Sequence, residues 1–112
     1  MIVVTFVLIF ALGVQLRIDT DVWWHLRAGA YMLDNGIIRS DPFSFTKAGE
    51  TWIDHSWGAD ILSYALWTGG GYASLEALTG LLALAGGVLV YLMCPGGTYL
   101  RCVITGLASL TA

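Results

Sequence analysis

Asp19 and Asp21 stand two residues apart, directly after an apolar run with no charge from Met1 to Leu16. A carboxylate placed where a chain leaves the membrane can act as a general base or bind a divalent cation. The same residues suit the start of a helix, where Asp19, Thr20 or Asp21 accepts orphan backbone N–H bonds and complements the helix dipole. The two roles are compatible, because a capping carboxylate can also be a ligand.

His25 follows Trp23 and Trp24. An imidazole there can be a tolerated amphipathic side chain, a phosphate or metal contact, or an axial ligand to a tetrapyrrole. His55 lies in Trp52-Ile53-Asp54-His55-Ser56-Trp57, with Asp54 beside it. His25, His55 and Asp54 are thus candidates for substrate, lipid-phosphate or metal contacts, although no H-E-x-x-H or related metal spacing occurs. Asp41-Pro42-Phe43-Ser44-Phe45-Thr46 reads as a rigid turn that sets loop geometry. There is no Gly-rich phosphate loop, Cys–His pair or serine-nucleophile setting. Cys94 and Cys102 lack C-x-x-C spacing and read as small apolar fillers of a helix.

These residues lie in a chain whose composition is that of a membrane protein. Of its 112 residues, 57% are hydrophobic and 12% charged, where a soluble domain carries about 25% charged residues. Twelve of the thirteen charged residues fall between Arg17 and Glu76, leaving Arg101 alone beyond them. The net charge of −3 offers no basic surface for nucleic acid.

The predicted organisation is an all-α integral membrane protein of two to three transmembrane helices. One or two interfacial amphipathic helices lie in its long first loop. Residues 1–18 form the first helix, read as a retained anchor rather than a cleaved signal peptide because no basic segment precedes it. Residues 19–72 are the structured loop, holding all five tryptophans, a residue concentrated where membrane meets water. Residues 73–94 are the second span, with only Glu76 charged in Ala73–Met93. Its Thr79, Ala83 and Gly87 form a small-residue stripe that permits close helix approach. Pro95-Gly96-Gly97 turns the chain, and residues 98–112 are a partial or third span.

Within the loop, a helix from about Asp21 to Asp34 stops at Asn35-Gly36. Trp23, Leu26, Ala30 and Leu33 share a face that suits lying flat on a membrane. Phe43 to Trp52 is extended or irregular. Asp54 caps a second short helix, roughly His55 to Trp67, ended by Gly69-Gly70-Gly71.

Asp21-Val22-Trp23-Trp24-His25-Leu26, Gly29, Gly36, Asp41-Pro42-Phe43-Ser44-Phe45-Thr46, Gly49, Trp52, His55 and Trp57 together resemble a recurring block. It is similar to the first extracytoplasmic loop of bacterial GT-C-type membrane glycosyltransferases, relatives of the dolichyl-phosphate-mannose-dependent mannosyltransferases. The resemblance covers residues 17–67. It implies sugar transfer from a polyprenyl-phosphate donor, with an acidic residue after the first helix as base or metal ligand. That position falls on Asp21 or Asp19, Asp21 being better placed against the Trp-Trp-His-Leu run. The family block often reads His-Glu-Trp where this chain has His55-Ser56-Trp57, which removes one carboxylate, although Asp54 and Asp60 lie nearby.

Three spans at most could hold the loop but not a whole groove for a lipid donor. The expected entity is therefore an N-terminal module or shortened relative, not active alone, with membrane lipids and further membrane segments or subunits as partners. The alternative is a non-enzymatic assembly subunit of a larger complex. Loop one carries Arg17, Arg27, Arg39 and Lys47, which by the positive-inside rule would place it in the cytoplasm. The resemblance places it outside, in a bacterial inner membrane, and that orientation is the expectation adopted.

Overall fold

The computed structural model describes residues 1–15 and 20–110. It is all-helical, with α1 at Ile2–Gln15, α2 at Val22–Asn35, α3 at Trp57–Met93 and α4 at Thr98–Leu110. Among the described residues there is no strand, only an isolated antiparallel bridge between Ser40 and Thr51. The chain divides into two compact units, residues 1–17 with 75–112, and residues 18–74.

Among the described residues α3 alone is long and apolar enough, by length and composition, to cross a membrane, and non-helical angles at Gly71 divide it into two parts. The glycine run ends its first part, as the sequence expects, and a second helix follows. Gly69 and Gly70 stay helical, and the break falls at Gly71, where φ is 61° and ψ −144°. Only glycine adopts that backbone conformation without steric penalty. Ser74 Oγ lies 2.6 Å from the Leu66 carbonyl and 2.7 Å from that of Gly71, so its hydroxyl can bond to either across the break. With 14 and 13 residues, α1 and α4 measure roughly 20 Å each, short of a hydrocarbon core of about 30 Å. Where two to three transmembrane helices were expected, the last of them partial, the described residues hold one candidate span and two shorter apolar helices.

In the unit formed by residues 1–17 and 75–112, α1 packs closely on the second part of α3. A Cβ added at Gly13 would lie 2.7 Å from Ala83 Cβ and 2.9 Å from Gly80 Cα. Thr79 Oγ1 lies 3.1 Å from the Gly13 carbonyl and 2.8 Å from that of Glu76, so its hydroxyl can bond across the helix pair. Gly87 lies against Ile9 and Thr105. The stripe of Thr79, Ala83 and Gly87 thus makes its close approach to α1 and α4 of the same chain. Cys102 is buried here and Cys94 half-buried, both as free thiols.

The unit of residues 18–74 is built around α2. Asn35-Gly36 stops that helix as expected, with Gly36 at φ 83° and its N–H bonded to the Met32 carbonyl. Of the face expected to lie on a membrane, only Leu26 turns into the protein. Leu26, Ala28, Gly29 and Met32 are buried, whereas Trp23 and Leu33 are exposed. Ala28 and Met32 join Ile38 in a small core flanked by Tyr31, Phe43, Trp52 and Ile61. Packing against the rest of the loop, which periodicity along one helix cannot reveal, selects this face.

Asp41 does set the loop geometry. Its Oδ1 accepts the N–H groups of Phe43 and Ser44, each at 2.9 Å, and its backbone bonds Glu50 and Gly49. The resulting ribbon brings Trp52 into a stack on Trp24, with ring centroids 5.1 Å apart, while Phe43 meets both rings edge-on.

Candidate functional site

His25 and Gly29 lie one helical turn apart on α2, and both meet Asp60 on the first part of α3. The carbonyl of Asp60 stands where a Gly29 side chain would have to be, with Tyr64 Cβ only 2.9 Å from that position. Because the backbones approach so closely, the short Asp60 side chain reaches the imidazole. His25 Nδ1 is 2.8 Å from Asp60 Oδ1. The aspartate side chain is 3% exposed and the histidine 42%, so a buried carboxylate holds an accessible ring.

Behind Asp60 lies a second carboxylate. Asp54 Oδ1 accepts the Ser56 N–H at 2.9 Å and lies 3.0 Å from Ser56 Oγ, which is 3.3 Å from Asp60 Oδ2. One hydroxyl carries one hydrogen, so Ser56 serves one of the two carboxylates at a time. Asp54 is 8% exposed, and its Oδ2 is buried without a hydrogen-bond partner among the described residues. Asp54 was expected to cap a helix from His55. Instead it shapes the turn into α3, which starts at Trp57, and Ser56 supplies the first helical carbonyl to the Asp60 N–H.

Burial pushes the Asp60 carboxyl above its ordinary 3.8, opposed by the hydrogen bond from His25 and reinforced by the charge of Asp54. The folded form then holds this proton more tightly than the unfolded chain. The stability gained is complete below the unfolded value and is lost as pH rises through the folded one. Asp60→Asn removes that titration. The parent's unfolding temperature minus the variant's is expected to shrink as pH rises from below 3.8 through the raised value. Thermal unfolding in detergent followed by circular dichroism measures this, and a difference independent of pH would count against burial as the dominant effect.

Asp21, His25, Ser56 and Asp60 line one open cleft of ≈ 350 Å³. Asp21 occupies the N-cap position of α2 with helical angles, φ −67° and ψ −14°, and its side chain makes no capping bond. The capping role expected of its carboxylate is therefore not realised. Asp19, the other acidic candidate, lies outside the described residues. His55 lines a different cleft of ≈ 530 Å³ with Arg39, Trp52, Asp54 and Trp57. The weaker candidates are thus divided, His25 in one cleft and His55 in the other, with Asp54 buried and reaching the first through Ser56.

No group of three or more His, Cys, Asp or Glu side chains is placed to hold a metal ion among the described residues. What the arrangement can do is move a proton: an accessible imidazole is fixed by a buried carboxylate, with a second carboxylate beside it in the cleft.

Reading the sequence singled out His25 and Asp21 but gave Asp60, Ser56 and Gly29 no chemical role. The i, i+4 spacing places His25 and Gly29 on one face of α2, and Ser56 stands one turn before Asp60 at the entry to α3. Nothing in the spacing says that the two faces meet. Compared with known protein families, curated proteins and solved structures, the chain matches none.

Proposed function

We propose that this chain is the N-terminal module, or a shortened relative, of a GT-C-type membrane glycosyltransferase. In this reading residues 18–74 contribute acid–base side chains to the transfer of a sugar from a polyprenyl phosphate to an acceptor outside the cytoplasm. One observation carries the reading. Asp21, the carboxylate that the resemblance marks, is free of any capping bond and shares a cleft with the His25–Asp60 pair. Packing supports it, because Trp24, Phe43 and Trp52 of the recurring block form one ring cluster.

Membrane insertion is supported by the surface of the apolar unit. In the most apolar eighteen-residue window of α3, 17% of positions are buried, whereas the core helix of a soluble domain would be buried over most of its length. Leu81, Leu82, Leu89, Leu92 and Met93 are exposed on α3, as are Val3, Val4, Val7 and Leu8 on α1. These side chains face lipid in this reading. Exposed Trp23 and Leu33 of α2 suit the interface.

The chain is expected to stay in the membrane fraction through alkaline carbonate extraction. In the full assembly, Asp21→Asn is expected to lower sugar transfer by ~10²-fold or more, the scale of a lost carboxylate that acts on the reacting groups as base or as counter-charge. Folding should be unchanged, because the aspartate makes no capping bond. Transfer of lipid-linked radiolabelled sugar in membranes measures the effect, and normal transfer by the variant ends the assignment of Asp21. The assembly-subunit alternative is favoured by an apolar groove of ≈ 320 Å³ lined by Leu12, Leu82, Gly86 and Val90, and it predicts no effect of Asp21→Asn.

A further inference from the structure

The cleft holds two groups that could take a proton, and the geometry points to His25, rather than Asp21, as the proton acceptor, with Asp60 as its positioning residue. This inference rests on the sugar-transfer reading above and names the group that performs one step of it. The observations are the 2.8 Å contact between His25 Nδ1 and Asp60 Oδ1, the burial of Asp60, and the accessibility of the imidazole. A carboxylate accepts hydrogen bonds and does not donate them, so Asp60 selects the neutral tautomer with its hydrogen on Nδ1. The lone pair is then on Nε2, the ring nitrogen left to the cleft that His25 shares with Asp21.

Asp60 cannot turn away. Gly29 sets its backbone against α2, and Ser56 contacts its other oxygen. Asp54 adds a second negative charge behind the pair, on a side chain more than nine-tenths buried whose Oδ2 has no partner among the described residues. Asp60 thus holds the ring at Nδ1, Asp54 reaches Asp60 through Ser56, and Asp21 lines the same cleft as the imidazole. An imidazole suits proton removal near neutral pH better than an ordinary carboxylate, whose proton affinity is roughly two units lower.

The step balances without a further reactant. The acceptor hydroxyl oxygen forms a bond to the anomeric carbon as the bond from that carbon to the donor phosphate oxygen breaks. The departing polyprenyl phosphate keeps the electron pair. The hydroxyl proton passes to His25 Nε2 and then to water. Asp21 is left to bind the substrate hydroxyls and to oppose the positive charge that develops on the sugar ring.

The test joins a structural and a kinetic measurement. In the chain labelled with [15N]histidine in detergent micelles, neutral His25 is expected to carry its hydrogen on Nδ1, and Asp60→Asn to abolish that preference. Parent His25 with its hydrogen on Nε2 overturns the inference. In membranes containing the full transferase, His25→Gln and Asp60→Asn are each expected to lower kcat by ~10²-fold or more with KM little changed. Lys47→Gln, in an exposed surface pair with Glu50, is expected to leave the rate as it was. If Asp21→Asn abolishes transfer while His25→Gln stays within a few-fold of the parent, the inference falls and the proposed function stands. If the assembly transfers no sugar, or tolerates Asp21→Asn and His25→Gln alike, the proposed function falls and takes the inference with it. Asp60→Asn is nearly isosteric, so a His25 variant that fails to fold leaves both measurements open through Asp60.

Discussion

Gly29→Ala is expected to separate α2 from the first part of α3 and to unfold the tertiary structure of residues 18–74. The added methyl would collide with the carbonyl oxygen of Asp60, and would lie 2.7 Å from its carbonyl carbon and 2.9 Å from Tyr64 Cβ. Two of those three atoms are backbone, so no rotamer change relieves the clash. Overpacked sites typically lose 1–3 kcal/mol by shifting side chains. Here a helix must move, and a loss of about 3 kcal/mol or more is expected. The same movement pulls His25 from Asp60, so chemistry and stability fail together.

Gly58→Ala is the internal control. It lies on α3 with nothing within 4 Å of the added methyl, and it is expected to be neutral or to stabilise by about 0.5–1 kcal/mol through helix propensity. Urea unfolding followed by near-ultraviolet circular dichroism reports the change, because Trp24 and Trp52 stack in this unit. Equal midpoints for Gly29→Ala and the parent would show that the two helices do not approach as described.

The second large effect belongs to the apolar unit. Gly13→Leu is expected to drive α1 away from α3, since even its Cβ would stand 2.7 Å from Ala83 Cβ, 2.9 Å from Gly80 Cα and 3.3 Å from the Thr79 carbonyl. The displacement also breaks the bond from Thr79 Oγ1 to the Gly13 carbonyl. Helices surrounded by lipid gain nothing from hiding apolar surface from water, so close packing and such bonds carry their association. Losing both is expected to cost about 3 kcal/mol or more.

A pair of spin labels on α1 and α3 would report the separation directly, and stability in a mixed detergent series would report the cost. Gly106→Ala on α4, with nothing within 4 Å, should behave as the parent. An unchanged spin-label distance in Gly13→Leu would remove the close α1–α3 contact from the structure.

Sequence alone determined the features that depend on near neighbours. The stop of α2 at Asn35-Gly36 follows from glycine at positive φ, and the turn after Asp41 from a carboxylate that bonds N–H groups two and three residues on. The helical class followed from long apolar runs with turn residues between them, and the small stripe at Thr79, Ala83 and Gly87 announced a close helix contact. Tertiary structure decided which surfaces these elements present to one another. Leu26 went inward and Leu33 outward because the partner of α2 lies elsewhere in the chain. His25 and Asp60 are 35 residues apart, and no local periodicity couples them. What brings them together is a missing side chain at Gly29, which lets two backbones come near enough for a short carboxylate to reach an imidazole.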